Sequence, residues 1–315
     1  MRIAILCSGR VAIPALEYLI KRGLVVAVGM PGKISETQTL VRHRCRQENL
    51  SFRLFEKKGF DETIITWLAA HQPDVVLVKT FPFLIPSGTL AIPTCGFINF
   101  HYAPLPAWRG ANPLFWMLRN GEKQGGITVH EMNASYDTGD ILLERTIPIG
   151  HNINFGILYT QLAHAGVQLT AQLIEQLQTG ELQRKEQDHS KAQWYGHPKP
   201  EDLFINWQTM EAEEIAGLVR ACNPWNKGAA TKWKNWTFGI THVSVVNSRV
   251  IADPGTILSI DANLGFMIAC KHAKAIIAEV VYCEEGFFPG YCMSAFGLKK
   301  NDQLTVSYEL WAAKP

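Results

Sequence analysis

Residues 3–28, IAILCSGRVAIPALEYLIKRGLVVAV, determine the fold class of this chain. Ile3 to Cys7 is an uninterrupted apolar run, which is typical of a parallel strand covered on both faces. The segment from Pro14 to Arg22 predicts a helix that ends at Gly23, and Leu24 to Val28 predicts a second strand. A strand, a helix and a strand in this order predict a β-α-β unit, the beginning of a doubly wound, mostly parallel α/β sheet.

The turn between this first strand and its helix, Ser8-Gly9-Arg10, is a candidate binding element. It lacks the G-x-G-x-x-G pattern and therefore carries no dinucleotide-binding fingerprint. Backbone N–H groups at the start of the following helix could hold an anionic or polar part of a substrate. A plain strand-to-helix turn is an equally good interpretation, since such turns occur in every unit of this fold.

Length and composition predict a globular protein with two domains or one large domain. The chain has 315 residues, of which 47% are hydrophobic and 18% are charged, enough to build a sizeable core. The net charge is only +2, which gives no strong nucleic-acid footprint. No apolar run reaches the ~18 residues of a membrane span, so we expect no membrane partner.

The cysteines indicate a reducing compartment. Seven of them are scattered along the chain, and none lies in a C-x-x-C pair. This spacing argues against a disulfide framework and against a zinc site. We therefore expect a cytoplasmic protein that binds no metal.

A change of composition indicates a domain boundary. A leucine stripe at helical spacing predicts a long helix that starts at Asn152 or Asn154. Residues 184–204 are polar and interrupted by prolines, so we place a linker there. The predicted domains are residues 1–183 and residues 205–315.

The second domain is predicted to be a small β-barrel. Its β-type runs are short and regularly separated by turns. They are Thr237–Val246, Gly255–Ser259, Phe266–Cys270, Ala275–Tyr282 and Gln303–Thr305. The predicted fold class is thus a doubly wound α/β domain followed by a smaller C-terminal barrel.

Chemistry-bearing residues concentrate between Gly96 and Leu142. Asn99 and His101 are two positions apart in the apolar run Phe97–His101, and residues i and i+2 of a strand point to the same face. An amide and an imidazole are therefore expected side by side. Further on, Asp137-Thr138-Gly139-Asp140 offers carboxylates in a turn-rich stretch.

An Asn, a His and an Asp together suit an acyl-type transfer to an amine. The amide N–H can donate to oxygen charge that develops on the carbonyl, and the imidazole can donate to that oxygen or move a proton. A nearby carboxylate would orient the imidazole, raise its pKa and keep it charged. No Ser or Cys nucleophile is needed if the amine attacks directly. The alternative is a capped turn with a hydrogen-bonded structural histidine.

The longer pattern resembles the folate-dependent formyltransferase family. The matching residues are Asn99-x-His101-x-x-x-Leu105-Pro106, Arg109-Gly110, Pro113, Trp116, Gly126-x-Thr128 and Asp137-Thr138-Gly139-Asp140-Ile141-Leu142. That family transfers a formyl group from 10-formyltetrahydrofolate to a primary amine. The resemblance implies that Asn99, His101 and Asp137 are catalytic, whereas Asp140 is not. One departure is Ala103-Pro104-Leu105-Pro106, where the family usually has Ser-Leu-Leu-Pro, and we expect it to reshape the acceptor side of the pocket.

The resemblance also implies a folate pocket. The residues expected to bind the folate are Phe81, Phe83, Leu84, Ile85, Pro86, Asn99, Tyr136 and Asp137. Apolar walls and a few backbone hydrogen bonds would suit the flat pterin ring between the loop at Phe81 and the loop before Asp137. Without the resemblance, packing of the Phe81 loop against the core would be the preferred interpretation.

One edge of the predicted sheet should gather these residues. Ser8, Phe81, His101 and Asp137 each follow a predicted strand, and ligands of an open α/β sheet bind beyond the carboxyl ends of its strands. We assign the acceptor side of the site to Ser8, Gly9, Arg10 and Arg109. His130 lies in the middle of a predicted strand, and we interpret it as a structural or surface residue.

The sequence leaves several acceptor amines open. Ile205-Asn206-Trp207, Arg220–Trp225 and Pro254–Leu258 are similar to the open, OB-like barrel domain of methionyl-tRNA formyltransferases. Those enzymes carry a basic Gly-rich loop after the second strand, whereas Met30–Glu36 here is shorter and far less basic. Methionyl-tRNA and a non-tRNA amine, either a nucleotide-linked amino sugar or a carrier-bound amino acid, are therefore equal candidates. A catalytically silent folate-binding module and a formyl-folate hydrolase are further alternatives.

Overall fold

The computed structural model describes residues 1–248 and 251–306, which form two compact units. The first unit comprises Met1–Pro113, Gln124–Pro148 and Tyr159–Tyr195, and the second comprises Leu114–Lys123, Ile149–Leu158 and the chain from Gly196 onward. The predicted second domain extends to residue 315. Of its residues, 249, 250 and 307–315 lie outside the described part of the chain.

A mixed sheet forms the centre of the first unit. The strands of this unit are β1 (Ile3–Cys7), β2 (Val25–Pro31), β3 (Ser51–Phe55), β4 (Val75–Lys79), β5 (Phe97–His101), β6 (Arg109–Gly110), β7 (Gln124–Glu131), β8 (Ile141–Pro148) and β9 (Trp194–Tyr195). Seven of them pair in the order β3-β2-β1-β4-β5-β7-β8, while β6 pairs with β9. β1 to β5 run parallel to one another, and β7 is antiparallel to both of its neighbours, β5 and β8. The predicted doubly wound, mostly parallel sheet is confirmed.

Local sequence signals set several helix ends. The helices are α1 (Ile13–Lys21), α2 (Glu36–Gln47), α3 (Phe60–His71), α4 (Pro113–Arg119), α5 (Phe155–Thr179) and α6 (Ala212–Cys222). α1 has Pro14 in its first turn and is followed by Gly23 at φ +65°, a left-handed conformation that glycine adopts readily. The Asn154 side chain accepts a hydrogen bond from the Ile157 N–H at 3.0 Å. Of the two predicted starts of the long helix, Asn154 is therefore the N-cap.

The edge strand β3 is an element that the sequence pattern does not reveal. It lies at the end of the sheet, and of its five residues only Phe55 is buried. An edge strand has a neighbour on one side only, so it needs no continuous apolar run. Its residues consequently lack the continuous apolar run that marks β1 and β4.

The second unit contains an antiparallel sheet that curls into a half-barrel. Its strands are β10 (Ala229–Trp233), β11 (Trp236–Asn247), β12 (Ile257–Asp261), β13 (Gly265–Ala269), β14 (Lys274–Cys283), β15 (Gly286–Pro289) and β16 (Leu304–Thr305). They pair in the order β12-β13-β14-β11-β10-β16, with β15 on β14. Every predicted β-type run corresponds to one of these strands, whereas β10 and β15 were not predicted.

Aromatic side chains form part of the core beneath the loop that follows β4. Phe55 packs edge-on against Phe60 and Trp67, with ring centroids 5.4 and 5.5 Å apart. Phe81 and Phe83 from the loop pack against the same cluster. Over residues 1–248 and 251–306, no helix has both the length and the apolar character required to cross a membrane.

Candidate active site

Asn99, His101 and Asp137 lie together in the structure. The first two are on β5, and Asp137 is in the loop between β7 and β8. Oδ1 of Asp137 is 3.5 Å from Nδ2 of Asn99 and 3.5 Å from Nδ1 of His101. The His101 and Asp137 side chains are only 7% and 10% exposed. Their interaction is therefore weakly screened by water.

Asp137 reaches this position by an unexpected route. β7 runs antiparallel to β5, with Ile98 opposite Glu131 and His101 opposite Thr128. β7 consequently ends beside the start of β5, away from the carboxyl ends of the parallel strands. The prediction that Asp137 follows a strand ending at that carboxyl edge was wrong, because strand direction depends on pairing across the sheet. The β7–β8 loop instead brings the carboxylate to His101.

The Asp137 carboxylate is held as an anion. Its Oδ2 accepts a hydrogen bond from the backbone N–H of Gly110 at 2.9 Å. Burial alone would raise the pKa of Asp137, but His101, His130 and the Gly110 N–H outweigh burial and lower this pKa to about 2. Asp137 therefore presents a full negative charge beside His101 at neutral pH.

Both ring nitrogens of the His101 imidazole face oxygen atoms. Its Nε2 lies 2.5 Å from the carbonyl oxygen of Trp108; a carbonyl only accepts, so Nε2 carries the proton. Burial lowers the pKa of His101 and outweighs the opposing effect of the Asp137 charge. That Asp137 keeps this imidazole charged stays a prediction. Nδ1 faces the Asp137 carboxylate at 3.5 Å, and the carboxylate would stabilise the imidazolium whenever Nδ1 holds a proton.

His130 is a second imidazole in this cluster. Its Nδ1 lies 2.7 Å from the carbonyl oxygen of Glu131, so Nδ1 carries a hydrogen and Nε2 can accept a hydrogen bond. Nε2 is 3.1 Å from Nδ2 of Asn99 and 3.6 Å from Oδ1 of Asp137. One amide hydrogen of Asn99 is thus donated to His130. The other faces Asp137 across the longer 3.5 Å contact and is the hydrogen available to a substrate oxygen that approaches on that side.

The placement of His130 excludes one of the two interpretations of the sequence, that of a surface residue. The side chain is 2% exposed and contacts two of the predicted catalytic residues, so it is not a surface residue. Its position follows from the pairing of Asn99 with His130 across β5 and β7, which puts both side chains on one face. The alternation of Thr128 and His130 with Ile127 and Val129 indicates that Thr128 and His130 share one face of a strand. It does not specify which strand pairs with β7, and so it does not place His130 next to Asn99.

Arg109 is buried beside the cluster. Its side chain is 3% exposed, and Nη2 donates to Oε1 of Gln187 at 2.6 Å and to Nδ1 of His189 at 2.7 Å. The guanidinium also lies 5.7 Å from the ring centroid of Trp194. Burial lowers the pKa of Arg109. In the structure, the Arg109 side chain is thus engaged with other residues of the first unit. Its predicted role on the acceptor side of the site stays a prediction.

The turn after β1 is tied to the turn after β4. Ser8 donates from its hydroxyl to the carbonyl of Thr80, and the Gly9 N–H donates to Oγ1 of Thr80 at 3.0 Å. A Cβ at Gly9 would lie 2.9 Å from the Tyr159 hydroxyl oxygen, so the position has little room for a side chain. Arg10 forms an exposed ion pair with Glu36.

The predicted folate-binding residues of the two loops divide into a set that packs on the core and a more exposed set. Phe81 and Phe83 lie 5.7 and 5.2 Å from the ring of Phe60, and Ile85 is buried, as the core-packing interpretation would have it. Leu84 and Tyr136 remain exposed, and Pro86 is half-buried. The exposed set offers apolar surface on the two loops that precede Asn99 and Asp137.

The fold and the cluster define an α/β enzyme whose polar site combines an amide, an imidazole and a carboxylate. Residues 1–174 match a family described as formyl transferase, and residues 198–285 match the formyl transferase C-terminal domain. The chain therefore belongs to the formyl transferase family. The family resemblance predicted from the sequence motifs is confirmed.

Relatives of known name span most of the chain. A methionyl-tRNA formyltransferase of Citrifermentans bemidjiense is 32% identical over 287 residues, which are 89% of this chain and 88% of that protein. A methionyl-tRNA formyltransferase of Geobacter metallireducens is 34% identical over 217 residues, which are 69% of this chain and 68% of that protein.

Solved structures share the fold at lower sequence identity. The sugar 3N-formyl transferase WlaRD is 16% identical, with a TM-score of 0.67 over 88% of this chain and 97% of that one. An N-formyltransferase from Helicobacter canadensis is 18% identical, with a TM-score of 0.68 over 88% and 98%. HypX from Aquifex aeolicus, solved in complex with tetrahydrofolic acid, is 17% identical, with a TM-score of 0.61 over 94% and 47%.

Proposed function

We propose that this protein transfers the formyl group of 10-formyltetrahydrofolate to a primary amine. The observation that carries the proposal is the position of Asp137 Oδ1, 3.5 Å from both Asn99 Nδ2 and His101 Nδ1. These groups supply the donor, the base and the carboxylate that direct attack of an amine on a formyl carbon requires. Membership of the formyl transferase family supports the same reaction.

In the proposed reaction each of the three side chains acts on one atom. Asn99 donates the amide hydrogen that is not committed to His130 to the formyl oxygen, where negative charge develops. Nδ1 of neutral His101 takes the proton that the attacking amine releases, and anionic Asp137 stabilises the imidazolium. A C–N bond to the acceptor forms, the bond from the formyl carbon to the folate nitrogen breaks, and the proton passes to that nitrogen.

The exposed loop residues are the proposed walls of the folate pocket. Leu84 and Tyr136 are 40% and 49% exposed, and together with Pro86 they could contact a flat heteroaromatic ring. Phe81 and Phe83 would support this loop from the core side. No metal takes part in the proposed reaction.

The acceptor that we propose first is the amino group of methionyl-tRNA, because relatives of that name span most of the chain. A nucleotide-linked amino sugar or a carrier-bound amino acid is the second candidate. One observation favours the second: β2 ends at Pro31 and α2 begins at Glu36. The connection of Gly32, Lys33, Ile34 and Ser35 contains a single cation, whereas binding along phosphates uses several.

Turnover with defined amines tests the proposal. The purified protein is mixed with 10-formyltetrahydrofolate and methionyl-tRNA, an amino-sugar nucleotide or a carrier-bound amino acid, and tetrahydrofolate release is followed. We expect turnover with one acceptor, abolished in His101→Ala and retained in a control, His164→Ala, on the exposed face of α5. Folate binding without turnover for any acceptor would indicate a silent module, and formate release without an amine would indicate a hydrolase. Either result would overturn the proposal.

Replacing His130 should lower the rate without weakening folate binding. In His130→Leu the Asn99 amide loses the acceptor that sets its orientation, and we expect kcat to fall about tenfold, the worth of one well-placed hydrogen bond. His130→Gln offers an oxygen in place of Nε2 and should stay within about threefold of the wild type. Steady-state kinetics with a tetrahydrofolate titration measure both effects. Equal losses in the two variants would contradict this role for His130.

A further inference from the structure

Gln187 lies in the segment that the sequence predicts to be a linker, yet it is buried. Its side chain is 4% exposed, whereas its neighbours Glu186 and Asp188 are exposed. A buried amide in an otherwise polar, exposed stretch requires partners, since an unpaired buried polar group is costly.

The partners of Gln187 belong to the candidate active site. Nε2 donates to the carbonyl oxygen of Asp137 at 3.1 Å and to the carbonyl oxygen of Gly139 at 2.7 Å. Oε1 accepts from Nη2 of Arg109 at 2.6 Å. Both amide hydrogens and the oxygen are thus engaged, and two of the three bonds hold the backbone that carries the Asp137 carboxylate.

That backbone needs support of this kind. Asp137 has φ +53°, a left-handed conformation that costs a non-glycine residue free energy unless its surroundings hold it. Gly139 packs so closely that an added Cβ would lie 2.0 Å from the carbonyl oxygen of Glu131. Gln187 donates hydrogen bonds to the carbonyl oxygens of these two residues. These bonds stabilise the loop in the conformation that Asp137 would otherwise leave.

The segment after Gln187 also holds the other side of the carboxylate. β6 pairs with β9, where the Arg109 N–H donates to the Gln193 carbonyl at 2.9 Å and the Ala111 N–H donates to the Tyr195 carbonyl at 2.8 Å. The Gly110 N–H between them donates instead to Oδ2 of Asp137 at 2.9 Å. Residues 187–195 therefore fasten both the Asp137 loop and the strand that binds its carboxylate.

We propose that Gln187 is a positioning residue for the transfer reaction: it holds Asp137 so that the carboxylate meets His101 Nδ1 and the Gly110 N–H together. This inference rests on the proposed function, because Asp137 acts on the reaction through His101. Gln187 itself touches no reacting atom. Loss of its two donors should let the carboxylate move, and a displacement of ~1 Å at a reacting group can cost about 100-fold in rate.

Two substitutions separate the contacts of Gln187. Gln187→Met keeps the side-chain length but loses every hydrogen bond, whereas Gln187→Glu loses both donors and keeps an acceptor for Arg109. We expect kcat to fall roughly 10- to 100-fold in both variants, with KM for 10-formyltetrahydrofolate within about threefold of the wild type. Glu186→Ala is the exposed neighbour control. Ile64→Val, in the core on α3, controls for mild destabilisation and should keep kcat.

Hydrogen exchange gives a readout that does not depend on turnover. In Gln187→Met the Gly110 amide should exchange at least about tenfold faster, because its acceptor is the Asp137 carboxylate, while the Arg109 and Ala111 amides keep their β9 acceptors and their protection. Unchanged Gly110 exchange, or kcat within twofold of the wild type in both Gln187 variants, would overturn the inference. If the wild type itself transfers no formyl group, the proposed function fails instead, and the Gly110 result still decides whether Gln187 holds Asp137.

Discussion

Replacing Asp137 with asparagine should lower kcat by roughly 100- to 10,000-fold, the range for loss of proton-transfer assistance, and leave the fold intact. Asparagine has the same shape and can still accept from the Gly110 N–H, which now bonds to Oδ2 at 2.9 Å. The lost element is the charge that would stabilise a protonated His101. Steady-state rates of tetrahydrofolate release measure the effect, with circular dichroism to confirm folding.

The pH dependence gives this prediction a second, signed readout. Burial lowers the pKa of His101, and the Asp137 charge opposes that effect. The reaction needs neutral His101, so wild-type kcat should fall as the pH drops through the lowered pKa of His101. In Asp137→Asn the opposing charge is gone, so this pKa decreases further and the acid limb of the kcat profile should move to lower pH.

Asp140 provides the matched control for Asp137. It is the second acid of the same turn, and no catalytic role is assigned to it. Asp140→Asn should keep kcat within about threefold of the wild type, since no proton transfer depends on it. A large loss in Asp140→Asn together with a small loss in Asp137→Asn would transfer the catalytic role to Asp140.

Replacing Lys79 with methionine should raise the free energy of unfolding at neutral pH by roughly 1–3 kcal/mol. Lys79 is fully buried at the end of β4. Nζ has a hydrogen bond of 3.2 Å to Oγ1 of Thr170 and lies 3.0 Å from the ring centroid of Phe100. Methionine fills a similar volume without an amine, and Thr170 keeps its own bond to the Gly166 carbonyl at 2.6 Å.

The pH profile of unfolding distinguishes this cause from better packing. Burial lowers the pKa of Lys79 well below its ordinary 10.5, so the unfolded chain binds more protons than the folded protein. Wild-type stability should therefore rise with pH between the lowered pKa and 10.5, by up to ~1.4 kcal/mol per pH unit. The Lys79→Met profile should lack this rise.

Denaturant unfolding at several pH values tests the Lys79 prediction. Lys57→Met, at an exposed lysine before α3, is the control and should follow the wild-type profile. A Lys79→Met protein that is less stable than the wild type, with the same dependence on pH, would show that Lys79 contributes a stabilising contact.

Features that depend on neighbouring residues could be predicted from the sequence. The apolar run Ile3–Cys7 specified a buried strand, which the structure has at the same residues. The spacing of Asn99 and His101 specified a shared face, because strand side chains alternate. The start of α5 was predicted at Asn152 or Asn154, and Asn154 caps it through a side-chain bond within its own first turn.

Features that depend on distant partners could not be predicted in this way. His130 belongs to the cluster because β7 pairs with β5 in one particular register, and residue spacing alone does not specify a register between distant strands. Gln187 bonds to residues 48, 50 and 78 positions away. The residues next to Gln187 in the sequence are polar, and this composition predicts a linker.

By itself, the sequence determined the α/β fold class, the strand that carries Asn99 and His101 and, through the motif around Asp137, the formyl transferase family. Only the tertiary structure decided the direction of β7, the membership of His130 in the cluster and the burial that lowers the pKa of His101. The physical reason is the separation in sequence between the residues that interact. Helix ends and strand faces follow from bonds and spacings within a few residues. Strand direction and pKa depend on pairing and burial, which exist only after distant segments have packed together.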